Sequence, residues 1–372
     1  MTRILVVGHT YIVGVNQSKL EALSRFDDVA VLVPSRWHDK TWKRTFVPEH
    51  HAPSCELYVV RAWLTGRGGR YLLDPWRVYR VLRRWAPDVI HVEQEVFALV
   101  SFEIALIAGL MRIPFTIFCW ENVDRRFGLL RKATSQHVIR RAKGIVAGSP
   151  KGERLLRSWG YVGPTTVAPQ LGINPSRSPR PVHRGTSVTI GYVGRLVPEK
   201  GVDTLLKAIA TVKSGGGDAR LVIVGEGPCR AQLIEEASRL GLEGIDWRLG
   251  VPHEDVDRQL QQLDLLVLPS RDTSTWQEQL GHILIEGMAN GVPVLGSRCG
   301  AIPEVIGRDD VIFEQNDSEG LARLISRFLR DPDWRIELRD HGLNRVDRSF
   351  THENVALRLS DFLRMHALEV GA

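Results

Sequence analysis

The chain has 372 residues, a quarter of them charged, with a formal net charge of +6. That length exceeds one compact core, and two domains of roughly 150 to 200 residues are expected. No apolar run nears the ~20 residues a spanning helix needs, and MTRILVVG runs into a strand without the regions of a signal peptide, so a soluble cytoplasmic protein is expected. Cys55, Cys119, Cys229 and Cys299 are scattered with no CxxC pair, which argues against a zinc site or a secreted disulfide framework and predicts four reduced thiols.

Short β-rich runs alternate with amphipathic stretches nearly throughout, the pattern of parallel sheets wrapped by helices. In the first half, strands are predicted at Ile4–Val7, Val29–Val33, Leu57–Val60, Val89–Val92, Phe115–Cys119, Ile145–Ala147 and Thr165–Val167. Helices are predicted at Lys19–Phe26, Trp76–Trp85, Phe97–Gly109, Leu129–Ala142 and Gly152–Trp159. A linker is expected at Pro175–Gly185, where prolines and basic residues offer little to bury. The second series has strands at Val188–Val193, Leu221–Val224, Ile245–Leu249, Leu265–Leu268, Val292–Leu295 and Val311–Phe313, and helices over Leu321–Leu329, Trp334–Asp340 and Val355–His366. The division expected is an N-terminal domain over 1–178, a second domain over 186–350, and a C-terminal helix in 351–372 packing back across the linker.

The positive charge favours an anionic partner, and no nucleic-acid module accompanies it. In PWRVYRVLRRWAPD, Trp76, Tyr79, Leu82 and Trp85 recur at helical spacing among Arg77, Arg80, Arg83 and Arg84. Such a helix could lie on an anionic membrane face, or it could be a crossover helix with its aromatics in the core.

In open parallel sheets ligands bind beyond the carboxyl ends of the strands. After the first strand of the second domain, GYVGRLVPEKG offers Gly194 for close backbone approach, and Arg195 and Lys200 as a guanidinium fork and an ammonium for a diphosphate. VIVGEGPCR has Pro228 and Arg230 where a dinucleotide fingerprint needs glycine, so it is no nicotinamide site. In EQLGHILIEGMANGVPVLG, Glu278 precedes a helix starting near Gly281, and Glu286 is expected about two turns inside it. The free N–H groups of that first turn attract an anion, with Glu286 in reach of an attached sugar's hydroxyls. Two carboxylates at this spacing are also common on a solvated helix face.

The order GRLVPEKG, VGEGP, PS with Glu278, Gly281 and Glu286, then GVPV and IPE resembles the retaining glycosyltransferases of family four, closely over the second domain and by architecture over the first. The resemblance implies a GT-B fold, two Rossmann-like domains facing each other across a cleft. It implies transfer of a hexose from a nucleotide diphosphate sugar to a hydroxyl acceptor, whether glycan, lipid-linked or small-molecule, in polysaccharide or glycoconjugate biosynthesis. Arg195 and Lys200 would neutralise the leaving diphosphate, Glu278 would contact the transferred sugar, Glu286 would hold the ribose, and Gly281 and His282 would offer backbone N–H groups. The loop around Val251 would meet the base. Retention is expected by front-face attack, with the donor phosphate as base and neither metal nor cofactor.

The first domain departs from the family pattern. Gly14 in HTYIVGVNQ stands where a glycine-rich loop is usual, and could admit a diphosphate or merely make a turn. Glu121 and Asn122 in FCWENVD stand where a histidine is usual, as candidate sugar or acceptor contacts beside Glu93 and Glu95, whereas His91 is expected in the core. Two alternatives share these features: a nucleotide-sugar epimerase on the same fold, and a non-catalytic nucleotide-sugar-binding regulator, which could dispense with Glu278. A pyridoxal-dependent phosphorylase fits less well, since none of Lys200, Lys207 and Lys213 suits a buried cofactor lysine.

Overall fold

A computed structural model describes residues 1–39, 44–125, 127–176, 178–183, 185 and 187–367. The chain divides into two units, one formed by Met1–Gly172 with the segment from His352, the other by Ile173–Thr351.

Unit 1 runs β1 (Arg3–Val7), α1 (Ser18–Leu23), β2 (Asp28–Pro34), an antiparallel pair β3 (Trp37–Asp39) and β4 (Arg44–Phe46), β5 (Glu56–Val60), a second such pair β6 (Ala62–Trp63) and β7 (Leu72–Leu73), α2 (Pro75–Trp85) and β8 (Val89–Glu93). It continues through α3 (Leu99–Met111), β9 (Phe115–Cys119), α4 (Leu129–Arg141), β10 (Gly144–Ala147), α5 (Pro150–Ser158) and β11 (Thr165–Val167). The sheet has order β11-β10-β9-β8-β1-β2-β5, every pair parallel. Side chains alternate across it: Leu5 and Val7 join a core with Val78 and Leu82 of α2 and Val100 and Ile104 of α3, while Ile4 and Val6 join one with Leu20 and Leu23 of α1. The C-terminal helix, His352–Ala367, adds Ala356, Leu359, Phe362 and Leu363 to that second face. Ser360 and Arg364 also donate to the buried Asp27 carboxylate at 2.5 and 2.9 Å.

Unit 2 runs β12 (Val188–Val193), α6 (Val202–Ser214), β13 (Ala219–Val224), α7 (Arg230–Arg239), β14 (Asp246–Arg248), α8 (Val256–Leu260), β15 (Leu265–Leu268) and α9 (His282–Ala289). Then come β16 (Val294–Ser297), α10 (Ile302–Ile306), β17 (Ile312–Phe313), α11 (Ser318–Arg330) and α12 (Pro332–Ser349). Its sheet, β14-β13-β12-β15-β16-β17, is also wholly parallel. In both sheets the strand order reverses beside the first strand, between β1 and β8 and between β12 and β15, which is where such sheets open a crevice.

Two expectations change here. The Pro175–Gly185 stretch is strapped to unit 2: Arg180 bonds Asp264 at 2.7 Å, and buried Arg335 donates to the carbonyls of His183 and Gly185 at 3.0 and 2.9 Å. Along α2 the core residues are Val78 and Leu82, one turn apart, while Trp76 and Tyr79 are exposed and stack on each other at 5.6 Å. Arg77, Arg80, Arg83 and Arg84 are exposed beside them. Asp74 caps this helix through the N–H groups of Trp76 and Arg77, ahead of Pro75 at its first position. The described cysteines are all free thiols, and no described helix is long and apolar enough to cross a membrane.

Candidate active site

In unit 2, Lys200 ends a single 3-10 turn between β12 and α6, and its ammonium meets the Glu278 carboxylate at 2.5 Å. The same Oε2 accepts from the buried Ser270 hydroxyl at 2.9 Å, and the ammonium lies 5.0 Å from the centre of the Trp276 ring. Two left-handed glycines make this approach possible. Gly201 (φ 65°) lies so close to Pro269 that a Cβ would stand 2.0 Å from its carbonyl oxygen, and a Cβ on Gly300 (φ 53°) would stand 1.9 Å from that of Glu278. The Glu278 carbonyl accepts from Ala301 N–H at 2.9 Å, and Arg271 binds Asp203 and donates its backbone N–H to the Glu199 carbonyl at 2.8 Å, so the loop after β15 is tied on both sides.

Gly281 (φ 71°) is the residue before α9 and His282 its exposed first residue. Glu286 is the fifth helical residue, about one turn in rather than two, because the helix begins only at His282. Burial, with the Asp257 charge, pushes its carboxyl up to about 7. His253, two residues beyond Val251, brings Nδ1 within 3.6 Å of Glu286, so the loop after β14 meets α9. Arg195 is exposed, its guanidinium in no ion pair among the described residues, while its carbonyl accepts from Tyr192 at 2.7 Å. Gly194 precedes it, with its N–H donated to Val224 at 2.9 Å. Lys200, Glu278, Gly281, His282 and Glu286 thus follow one another around the β12/β15 reversal.

Unit 1 arranges its candidates differently. Glu93 is fully buried, bound to Lys19, to the Tyr11 hydroxyl at 2.8 Å and to Gln170 at 3.1 Å, so it is an interior residue with no oxygen turned to a surface. Burial alone would push this carboxyl up; the Lys19 ammonium, His91 and Tyr11 hold it below the ordinary value. His91 is in the core, bonded to Thr116 at 2.8 Å and lowered to about 4 by burial. Glu95 is buried too, its Oε1 accepting the N–H groups of Trp120 and Glu121 at 2.8 and 2.9 Å, and burial raises it to about 8. It therefore holds the turn that carries Glu121 and Asn122, which are also buried, with Glu121 paired to Arg125. Gly14 opens the second of two 3-10 turns and donates its N–H to Glu49 at 2.7 Å.

Two family models match in tandem: Glycosyltransferase Family 4 over residues 21–177 and Glycosyl transferases group 1 over residues 176–345. The chain belongs to the group 1, family-four glycosyltransferases. The 2-deoxystreptamine glucosyltransferase of Streptomyces kanamyceticus is 27% identical over 282 residues, 68% of this glycosyltransferase and 71% of that one. A GDP-mannose-dependent alpha-(1-6)-phosphatidylinositol monomannoside mannosyltransferase of Mycobacterium tuberculosis is 28% identical over 185 residues, and there the match spans about half of each chain, 48%. Among solved structures, sucrose-phosphate synthase of Thermosynechococcus elongatus has a TM-score of 0.70 at 21% identity over 100% of both chains. HepE of Anabaena, solved with UDP, has 0.72 at 17% identity over 98% of this chain and 100% of its own. These likenesses establish the GT-B fold.

Among the described residues of this glycosyltransferase, no group of three histidine, cysteine, aspartate or glutamate side chains could hold a metal ion. Sequence reasoning quoted Ser270 within its motif but gave it no role, and it missed Trp276 and the Arg271–Asp203 brace. A serine just beyond a buried apolar strand, as in LVLPS, was the available signal for the first.

Proposed function

We propose that this glycosyltransferase moves a hexose from a nucleotide diphosphate sugar, with retention, and that the donor is held by unit 2. The observation that supports this most is the Lys200–Glu278 pair at the β12/β15 reversal, with Glu286 one turn inside the neighbouring helix. A diphosphate reaching the loop after β12 would draw Lys200 away from Glu278. The ammonium, with Arg195, then neutralises charge growing on the leaving nucleotide, and the released Glu278 accepts hydrogen bonds from the sugar's hydroxyls. Ser270 keeps one of its oxygens aimed during that exchange. Glu286 takes the ribose hydroxyls as an acceptor-only carboxylate, and the backbone around Val251 takes the base. The attacking hydroxyl gives its proton to the departing phosphate oxygen on the same face, so the reaction draws on no cofactor and no metal. Two relatives carry a glucosyl or GDP-mannose-dependent name and one neighbour was solved with UDP, which supports a nucleotide-sugar donor of this general kind.

We further propose contact with an anionic cytoplasmic membrane face through α2, whose exposed Trp76 and Tyr79 adjoin four exposed arginines. Co-sedimentation with phosphatidylglycerol vesicles but not phosphatidylcholine vesicles is expected, and equal pelleting with both would refute it. The transferase reading is tested by incubating the chain with UDP-, GDP-, ADP- and TDP-sugars and measuring released nucleotide diphosphate. Slow release from one donor class is expected; tight binding without turnover, even with diverse acceptors, would mark a regulator instead.

A further inference from the structure

Unit 1 holds a cavity of about 630 Å³ between α4, the end of α5 and the loop after β9, and neither the family assignment nor the donor chemistry accounts for it. Its walls include Phe127, Trp159, Asp124, Arg125, Lys132 and Gln136. The two rings form a corner, 5.9 Å apart at 65°, and both pack on Phe97, at 4.8 and 6.2 Å. Hydrogen bonds fix Trp159 at two points: its indole N–H donates to Asp124 at 2.9 Å, and its carbonyl accepts from Gln136 at 2.7 Å. The aromatic corner is thus already set before any ligand arrives. Lys132 is exposed and makes no ion pair among the described residues, so its ammonium remains a donor.

A corner of two rings edged by a carboxylate, an amide, a guanidinium and an ammonium suits a molecule with apolar C–H faces and a rim of hydroxyls. A lipid chain would offer nothing to the Lys132 ammonium or to the remaining hydrogen-bonding capacity of Asp124 and Gln136, and a simple alcohol would leave the rings uncovered. Arg125 joins the cavity to the strand-end turn, because it lines the one and pairs with Glu121 in the other. We propose that this cavity is an acceptor subsite that binds a pyranose-containing saccharide, with Trp159 and Phe127 against the ring faces and Asp124, Gln136 and Lys132 at the hydroxyls. The inference rests on the transferase reading and narrows its acceptor to a glycan or glycoside.

Saturation-transfer NMR on the full chain tests it, with maltose and methyl α-glucopyranoside as probes and glycerol as the ringless control. Both saccharides are expected to bind and glycerol not to; Trp159→Leu should weaken saccharide binding by about tenfold. Ser158→Trp, which fills the cavity from an exposed position, should do the same without disturbing Trp159 and guards against a folding defect in the first variant. Both variants should keep the wild-type rate of slow donor hydrolysis. Saccharide binding that survives both substitutions, or is absent from a wild-type chain that still hydrolyses its donor, overturns the subsite. A wild-type chain that binds saccharide through Trp159 but turns over no donor upholds the subsite and counts against the transferase reading alone.

Discussion

Each unit carries a lysine–glutamate pair beside the reversal of its strand order, Lys19 with Glu93 in unit 1 and Lys200 with Glu278 in unit 2. The first is sealed, with side-chain exposures of 2% and 0%, and its carboxylate also serves Tyr11 and Gln170. The second is at 14% and 9%, its carboxylate shared with the Ser270 hydroxyl and its ammonium beside Trp276. The partners are chemically identical and the surroundings decide the use. A buried pair whose remaining lone pairs are satisfied fixes a structure, whereas a partly open pair next to a helix N-terminus can trade its partner for a ligand.

The contrast should be starkest in Lys200→Ala. Transfer is expected to fall by about a thousandfold or more, while stability falls by roughly 1–3 kcal/mol, because the Ser270 hydroxyl still serves Glu278, checked by initial rates and urea unfolding. Lys19→Ala should invert this by leaving a buried carboxylate uncompensated, with a loss of roughly 3–5 kcal/mol in urea unfolding and an unchanged donor Kd for whatever remains folded. Equal effects of the two variants on activity and stability would erase the distinction.

Titration sharpens it further. The Glu95 carboxyl is raised from 4.5 to about 8, so its contribution to stability is whole below 4.5 and lost as the pH climbs to about 8. The loss approaches roughly 1.4 kcal/mol for each unit of the shift, and Glu95→Gln should flatten that part of the stability profile. Glu286 crosses its raised value, about 7, close to neutrality. Donor affinity should therefore improve between pH 6 and 8 as the acceptor carboxylate forms, while Glu286→Gln should be about tenfold weaker at the upper end and nearly indifferent to pH. Calorimetric titration with the nucleotide diphosphate checks both. The smallest expected effect is in Ser270→Ala, a loss of a few-fold in transfer rate, since one neutral hydrogen bond to Glu278 contributes about 1 kcal/mol.

The reach of sequence reasoning follows the same divide. The segments that carry Lys200, Glu278 and Glu286 were legible as candidate ligand loops because they follow strands whose unbroken Val, Ile and Leu runs announce burial on both faces. Their order along the chain also carries a family pattern. Glu93, expected among the acceptor contacts, is instead an interior residue whose partner lies 74 residues away on α1, and nothing local to HVEQE reports a lysine folded against it. The placement of α2 turned on which stripe of an amphipathic helix is the apolar one. Val78 and Leu82 define it, yet the larger aromatics drew attention. The small β3–β4 and β6–β7 pairs escaped notice because two or three residues show no periodicity, and the cavity beneath Trp159 joins α4 and α5, segments that each read as an ordinary amphipathic helix.

The C-terminal helix adds a consequence in time. Because Ala356, Leu359, Phe362 and Leu363 complete a face of unit 1 whose other residues precede position 172, a chain emerging from the ribosome has made all of unit 2 before it can close the core it began with. Unit 2 can fold during synthesis as a contiguous stretch, while unit 1 holds an unfinished apolar face against α1 until the C-terminal helix is made. A released chain truncated after Thr351 should keep unit 2 protease-resistant and leave unit 1 open to cleavage.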